Sequence, residues 1–348
     1  MSALHVDWKK SPYRAMIGTG GIGSGMFIAL QGNHTLGREE SRPGHFLDHR
    51  DYCKLHIIAH YVKVLLGPGF QTILIGKVGE DQVGRALLRE MAHTGLDLRF
   101  VQVSPQDRTL FAVCFTYPDG TGGNLTQADS ACSRVGVEDI ARAESEFARH
   151  QGHGVALAAP EVPLQARREL LSLATQYRFW RVGSFISAEV MPALEMGLFG
   201  MLNLAALNID EAAQLAGLSP EKNHAEEVIQ AAIRRISGDY PRLQLSLTAG
   251  PHGSWSWDGM ALVHQPAFPT RILGTAGAGD AHLAAMIAGR VAGLDPAQSQ
   301  QLAGLVAALS ITSPHTIAPQ VERTALLAFA REQNLQLDQA VWELLQEG

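Results

Sequence analysis

Apolar positions along the chain follow two periods. Short continuous or alternating runs bounded by Gly, Pro, Asp or Asn predict strands, and longer stretches with apolar residues three and four apart predict helices. Strands are expected at 14–17 and 26–30, separated by Gly18-Thr19-Gly20-Gly21-Ile22-Gly23. The polar, Gly/His/Arg-rich segment 32–50 predicts a loop or a projecting lid. A helix over 52–66 closes at Gly67-Pro68-Gly69, a strand covers 72–75, and a helix over 83–93 stops at Gly95. Alternation at 98–103 and 109–117 predicts two strands ending in the turn 118–123.

Beyond residue 155 the two patterns alternate. Strands are expected at 155–157, 179–182, 202–207 and 243–248, with helices at 164–177, 188–196, 211–215 and 225–237. A β pair at 254–257 and 261–264 precedes helices at 280–292, 299–310 and 322–334. Such alternation predicts an α/β fold, a mostly parallel central sheet with helices on both faces. No internal repeat or low-complexity segment interrupts it; the length allows one large α/β domain or two smaller ones, and residues 1–348 are expected to form a single domain.

Composition narrows the function classes. A net charge of −6 without any Lys/Arg block argues against nucleic-acid and anionic-membrane partners. Cys53, Cys114 and Cys132 lie far apart with no Cys-x-x-Cys pair, which fits three buried thiols in a reducing compartment. Residues 1–10 carry no signal-like apolar stretch, and no segment reaches membrane-spanning length, so a cytoplasmic enzyme is expected.

The most informative stretch is Gly274-Thr275-Ala276-Gly277-Ala278-Gly279-Asp280, which leads directly into an apolar helix. Backbone N–H groups at a helix N-terminus lack intrahelical partners and carry the positive end of its dipole. Glycines let that backbone approach an anion closely. A carboxylate aimed at the same place is what phosphoryl transfer needs to orient and deprotonate an attacking hydroxyl. The competing reading is a plain helix cap, since Asp caps helices and Gly-rich turns are common.

Further segments decide between them. Residues 274–280 resemble the C-terminal signature of the ribokinase-like (PfkB) carbohydrate kinases, Asp-Thr-x-Gly-Ala-Gly-Asp, with Gly274 in place of its first Asp. Gly76-Lys77-Val78-Gly79-Glu80-Asp81-Gln82-Val83-Gly84 resembles the family's Gly-x-Val-Gly-x-Asp-x-x-Gly segment. Asn208-Ile209-Asp210-Glu211 matches Asn-x-x-Glu, and Thr248-Ala249-Gly250-Pro251-His252-Gly253 matches Thr-x-Gly-x-x-Gly. The segments occur in the family's order over roughly 14–320.

The resemblance implies a ribokinase-like fold with a small β-lid built from roughly 26–44 and 98–125. It implies an ATP- and Mg²⁺-dependent phosphotransferase acting on a hydroxyl of a sugar or sugar-like molecule, with possible homodimerisation through the lid. It assigns Asp280 as base, Gly277, Ala278 and Gly279 as the anion-stabilising backbone, and Asn208 and Glu211 to the metal, largely through water. It places Thr248, Gly250, Gly253 and Thr275 on the nucleotide side. The alternative from a different class is a nucleotide-binding regulatory protein of the same fold that has lost acceptor chemistry.

Two other readings compete for part of the chain. Gly18, Gly20 and Gly23 fit Gly-x-Gly-x-x-Gly after a strand, the dinucleotide fingerprint, but the following 24–28 reads as strand rather than the required helix. His45/His49 and His56/His60 have i,i+4 spacing, yet no third ligand accompanies either pair.

Departures from the family fall on the acceptor side. The Gly-Gly pair and Asn that usually enter the first long helix are replaced by Arg50-Asp51-Tyr52-Cys53-Lys54-Leu55-His56, and the acidic residue after the first strand has no counterpart among 18–27. Asp48, His49, Arg50, Asp51 and His56 are candidate replacements. The imidazole-rich basic stretch 42–60 would suit an anionic acceptor or, equally, form a solvated lid face.

Overall fold

The computed structural model describes residues 2–119, 122–219 and 222–346. Gly120 and Thr121, inside the expected turn 118–123 and the expected lid segment 98–125, lie outside the described residues. In chain order the strands are β1 (Ala15–Thr19), β2 (Gly23–Leu30), β3 (Gly44–Tyr52), β4 (Gln71–Gly79), β5 (Asp97–Ser104), β6 (Leu110–Thr116), β7 (Gly122–Thr126), β8 (Gly154–Ala158), β9 (Trp180–Ser184), β10 (Leu204–Asn208), β11 (Gln244–Thr248), β12 (Ser254–Trp257) and β13 (Leu262–Gln265).

Among the described residues, the large sheet runs β13-β12-β11-β10-β9-β8-β1-β4-β5 and the small one β3-β2-β6-β7. From β11 to β5 the large sheet is parallel; β12 and β13 extend its edge antiparallel. β1 and β8 are buried at every position, as continuous apolar runs must be when helices cover both faces. Alternate residues of β1 point to opposite layers. Met16 joins a core with Ile58 and Leu65 of helix Lys54–Leu66, Ile287 of helix Ala278–Ala292 and Val306 of helix Pro296–Ser310. Ile17 joins a second core with Leu170 of helix Leu164–Gln176, Ala213 of helix Ile209–Ala216 and Ile229 of helix Ala225–Asp239.

The chain leaves β1 for β4 and β5 on one side and later fills β8 to β11 on the other. Strand order therefore reverses at β1 and β8, and parallel α/β sheets bind ligands beyond the carboxyl ends of strands at such a switch point.

Three sequence expectations shift. The segment 32–50 is not all loop, because Gly44–Tyr52 forms β3. Most of that strand's residues are at least partly exposed and only Asp51 is buried, so it lacks the apolar alternation that marks a half-buried strand. The small sheet thus reaches beyond residue 44 to Tyr52. Residues 98–104 of the expected lid instead belong to β5, which pairs parallel with β4 at the large sheet's edge. Short helices at Val137–Ala141, Glu144–Arg149 and Gln339–Leu345 were not anticipated; at seven residues or fewer, each is too short for its periodicity to stand out.

Candidate active site

Helix Ala278–Ala292 begins where Gly277 adopts φ 81°, a left-handed conformation that glycine takes without steric cost. A side chain there would place a Cβ 2.5 Å from the Thr316 carbonyl, so the tight approach to that loop also requires glycine. The Ala278 N–H donates to the Thr275 carbonyl at 3.2 Å and the Ala281 N–H to the Gly277 carbonyl at 2.9 Å. Of the three amides assigned to anion stabilisation, Ala278 is therefore engaged in the turn. The amides of Gly277 and Gly279, and that of Asp280, have no acceptor among the described residues, as the first helical turn dictates.

Facing this helix end is the carboxyl edge of the sheet. Thr248 ends β11, with its hydroxyl oxygen 3.9 Å from the point where a Gly279 Cβ would sit. Gly250 (φ 51°) and Gly253 (φ 87°) shape the turn into β12. Asn208 ends β10 and caps helix Ile209–Ala216. Its Oδ1 accepts from the Glu211 N–H at 2.9 Å, while the Asn208 N–H donates to Glu211 Oε2 at 2.8 Å and its Nδ2 to Oε1 at 3.1 Å. These bonds form a reciprocal capping box.

One cavity of about 840 Å³ is lined by Asn208, Glu211, Thr248, Gly250, Gly253, Thr275, Gly277, Ala278, Gly279 and Asp280. The fold brings together every residue assigned to catalysis, nucleotide or metal. Phe268, Leu283, Ala307 and Ile311 give the cavity an apolar wall able to take a planar base.

Two side chains here were not among those assignments. Lys54 opens helix Lys54–Leu66, and its ammonium lies 3.7 Å from Asp280 Oδ1. Its N–H donates to Glu161 Oε2 at 3.1 Å. Glu161 follows β8 at the switch point with φ 73°, a conformation that costs a non-glycine residue roughly 1–3 kcal/mol and clusters at functional sites. Its carboxylate fills the space over Gly21, where a Cβ would collide with Oε2. Asp51, 7% exposed at the end of β3, sits likewise over Gly25 and accepts from the Cys114 thiol at 3.4 Å. Gly21, which stands between the glycines of the 18–23 fingerprint, is thus the residue that admits Glu161.

Burial is the largest influence on these carboxylates. It pushes Glu161 and Glu211 up to about 7 against the opposing pull of Lys54, and raises Asp280 and Asp51 as well. Lys54 is raised, first by Asp280 and then by Glu211 and Glu161.

Apart from Lys54, the cationic and imidazole side chains of the basic stretch 42–60 do not converge on this site. Arg42 is tied to Glu40 at 2.7 Å, Arg50 points to Glu90 at 3.9 Å, and His49 packs edge-on against Phe27 and His315. Burial lowers His56 to about 3 and His60 to about 4 and keeps both neutral. Among the described residues no group of three or more His, Cys, Asp or Glu is arranged to hold a metal. All three cysteines are free and buried.

Residues 58–323 match the model of the pfkB family carbohydrate kinases. The chain belongs to that family. It is 26% identical over 245 residues, 70% of this chain and 75% of the other, to the Pyrococcus horikoshii protein named "Putative sugar kinase PH1459". Its fold matches Arabidopsis thaliana ribokinase complexed with ribose and ATP with a TM-score of 0.69, at 17% identity over 93% of this chain and 100% of that one. Burkholderia thailandensis nucleoside kinase in complex with inosine gives a TM-score of 0.69 at 19% identity, covering 91% of this chain and 98% of the other. The ribokinase-like architecture, with its large mostly parallel sheet and second small sheet, is the one expected from the sequence. No helix of the described residues is long and apolar enough to cross a membrane.

Proposed function

We propose that this protein transfers the γ-phosphoryl group of MgATP to a hydroxyl of a sugar or sugar-like small molecule. The observation that carries this reading is the convergence, in one cavity, of the amide-lined N-terminus of helix Ala278–Ala292 with the carboxylate of Asp280. The acceptor lies between the small sheet and the switch point, where Glu161 and Asp51 offer carboxylate oxygens to hydroxyl protons. Asp280 takes the proton as the acceptor oxygen attacks, a role its raised pKa suits. The free amides of Gly277 and Gly279 stabilise charge on the transferring group through fixed dipoles. Thr248, Gly250, Gly253 and Thr275 shape the nucleotide side, and the small sheet acts as a lid that excludes water.

The residues present suit a hydrated magnesium ion. Mg²⁺ prefers oxygen ligands and keeps several waters. Each Glu211 oxygen accepts one bond from Asn208, leaving lone pairs for such waters. Glu211 and Asn208 would hold the ion through water, and bound on the nucleotide it would neutralise phosphate charge.

The small sheet's outer face supports self-association through the lid. Ile28 pairs in register with Phe46 and Phe115, and Val113 with Met26 and Leu125, which gathers these side chains on one face. Phe46 is 74% and Leu125 64% exposed, and a second copy would cover them. The buried thiols accord with a reducing, cytoplasmic setting.

Thermal shifts with neutral sugars, phosphorylated sugars, nucleosides and polyols, each with a nonhydrolysable ATP analogue, test the proposal. An acceptor stabilises the ternary complex beyond the analogue alone. Stabilisation by the analogue without a further shift from any acceptor favours the regulatory alternative.

A further inference from the structure

The nucleotide cavity has an unbalanced charge. Lys54 is the single lysine or arginine among its lining residues, which also include the carboxylates Asp210, Glu211 and Asp280. A nucleoside triphosphate entering it is a polyanion, and charge on the transferring phosphoryl must be met by cations or oriented N–H groups. Helix dipoles supply only about half an elementary charge. The cavity therefore offers one full positive side-chain charge.

The fold holds that charge in place from both ends. Lys54 is the first residue of its helix, and its N–H is anchored to Glu161 Oε2 at 3.1 Å. The stem then runs to an ammonium 3.7 Å from Asp280 Oδ1, with the side chain 28% exposed and so open to the cavity. Glu161 in turn occupies its place through a left-handed backbone and the absence of a side chain at Gly21.

We propose that Lys54 is a catalytic residue: it pairs with Asp280 before the nucleotide binds and binds the γ-phosphoryl oxygens during transfer. The inference rests on the phosphotransferase reading above. In the step, the acceptor oxygen bonds to the γ-phosphorus and the bond from that phosphorus to the β,γ-bridging oxygen breaks. The bond's electron pair leaves on ADP, the hydroxyl proton passes to the Asp280 carboxylate, and Lys54 keeps its three protons. Contact with the departing phosphoryl also frees Asp280 from its ion pair just as it must accept a proton. The raised pKa of Lys54 accords with an ammonium that stays charged throughout.

The test compares MgADP with MgADP plus aluminium fluoride, a mimic of the transferring phosphoryl, by calorimetric titration of the full chain and its Lys54→Met and Lys54→Arg variants. Removing one donor to a developing anion typically costs about 10²–10³-fold. Lys54→Met should therefore lose about that factor in affinity for the fluoride complex while binding MgADP within threefold of the parent. Lys54→Arg, which keeps the charge, should recover most of the loss. Equal affinity of parent and Lys54→Met for the fluoride complex overturns the role, as does a loss shared equally with MgADP. A parent protein that binds MgADP yet gains nothing from aluminium fluoride contradicts the phosphotransferase reading itself, and Lys54's role with it.

Discussion

The ammonium of Lys54 and the carboxylate of Asp280 stand 3.7 Å apart, although they open two different helices widely separated in the chain. Helix Lys54–Leu66 and helix Ala278–Ala292 share one core through Ile58, Leu65, Ala284 and Ile287, and this packing sets the distance between their N-termini. The pair places a carboxylate and an ammonium together at the N-terminus of helix Ala278–Ala292.

Replacing Asp280 with Asn keeps the size and removes the proton acceptor. Turnover should fall by about two to four orders of magnitude, a typical general-base loss. MgATP affinity, measured by titration, should stay within a few-fold, because the amides of the helix end remain. Near-normal turnover would exclude Asp280 as the base.

Glycines around the helix start should differ sharply. Gly277→Ala forces a side chain into a left-handed conformation against the Thr316 carbonyl and should cost about 1–3 kcal/mol in urea unfolding. A Cβ at Gly279 meets nothing nearer than the Thr248 hydroxyl oxygen at 3.9 Å, so Gly279→Ala should be nearly neutral for folding. It should still weaken MgATP binding by crowding the phosphate. Unchanged nucleotide affinity in Gly279→Ala would argue against an anion site there.

The local motifs were legible for a physical reason: the loop and the helix it opens are neighbours in sequence, so 274–280 carries its own geometry. Lys54 and Glu161 were not, because their meaning arises only where β1, β8 and two helix ends converge. Lys54 lay in plain view within a basic stretch, but nothing local distinguished it from Arg42, which is tied to Glu40, or His56, which is buried. A positive φ at Glu161 has no sequence signal of the kind glycine provides. Similarly, the polar surface of β3 concealed a strand whose one buried residue is the carboxylate Asp51.

Buried titrating groups give opposing pH effects on stability. Glu161 has a folded pKa of about 7, above its ordinary value, so the native state holds more protons than the unfolded chain and this group's contribution falls as pH rises through that window. Glu161→Gln removes the penalty and still accepts from the Lys54 N–H. The variant's melting temperature should match the parent's near pH 5 and exceed it by pH 8. His56, His60 and His282, lowered to about 3, 4 and 4, contribute stability that is lost as pH falls from their ordinary value toward these. A Glu161→Gln protein that loses ground as pH rises would reverse the sign of the account.

The outer face of the small sheet should govern assembly. Phe46→Glu places a charge where Ile28 and Phe115 would meet a second copy. Sedimentation velocity should show a dimer for the parent and a monomer for the variant, with each protomer's melting behaviour unchanged. A monomeric parent would leave that face without a role in self-association.

The most direct test of the central claim follows the γ-phosphoryl group itself. ATP labelled at the γ position is incubated with Mg²⁺ and the acceptor that best stabilises the ternary complex, and label is then sought in the acceptor. The account predicts a labelled phosphate ester, formed by the parent protein and lost with Asp280→Asn. Tight MgATP binding with no labelled ester from any sugar, nucleoside or polyol in the screen would contradict it.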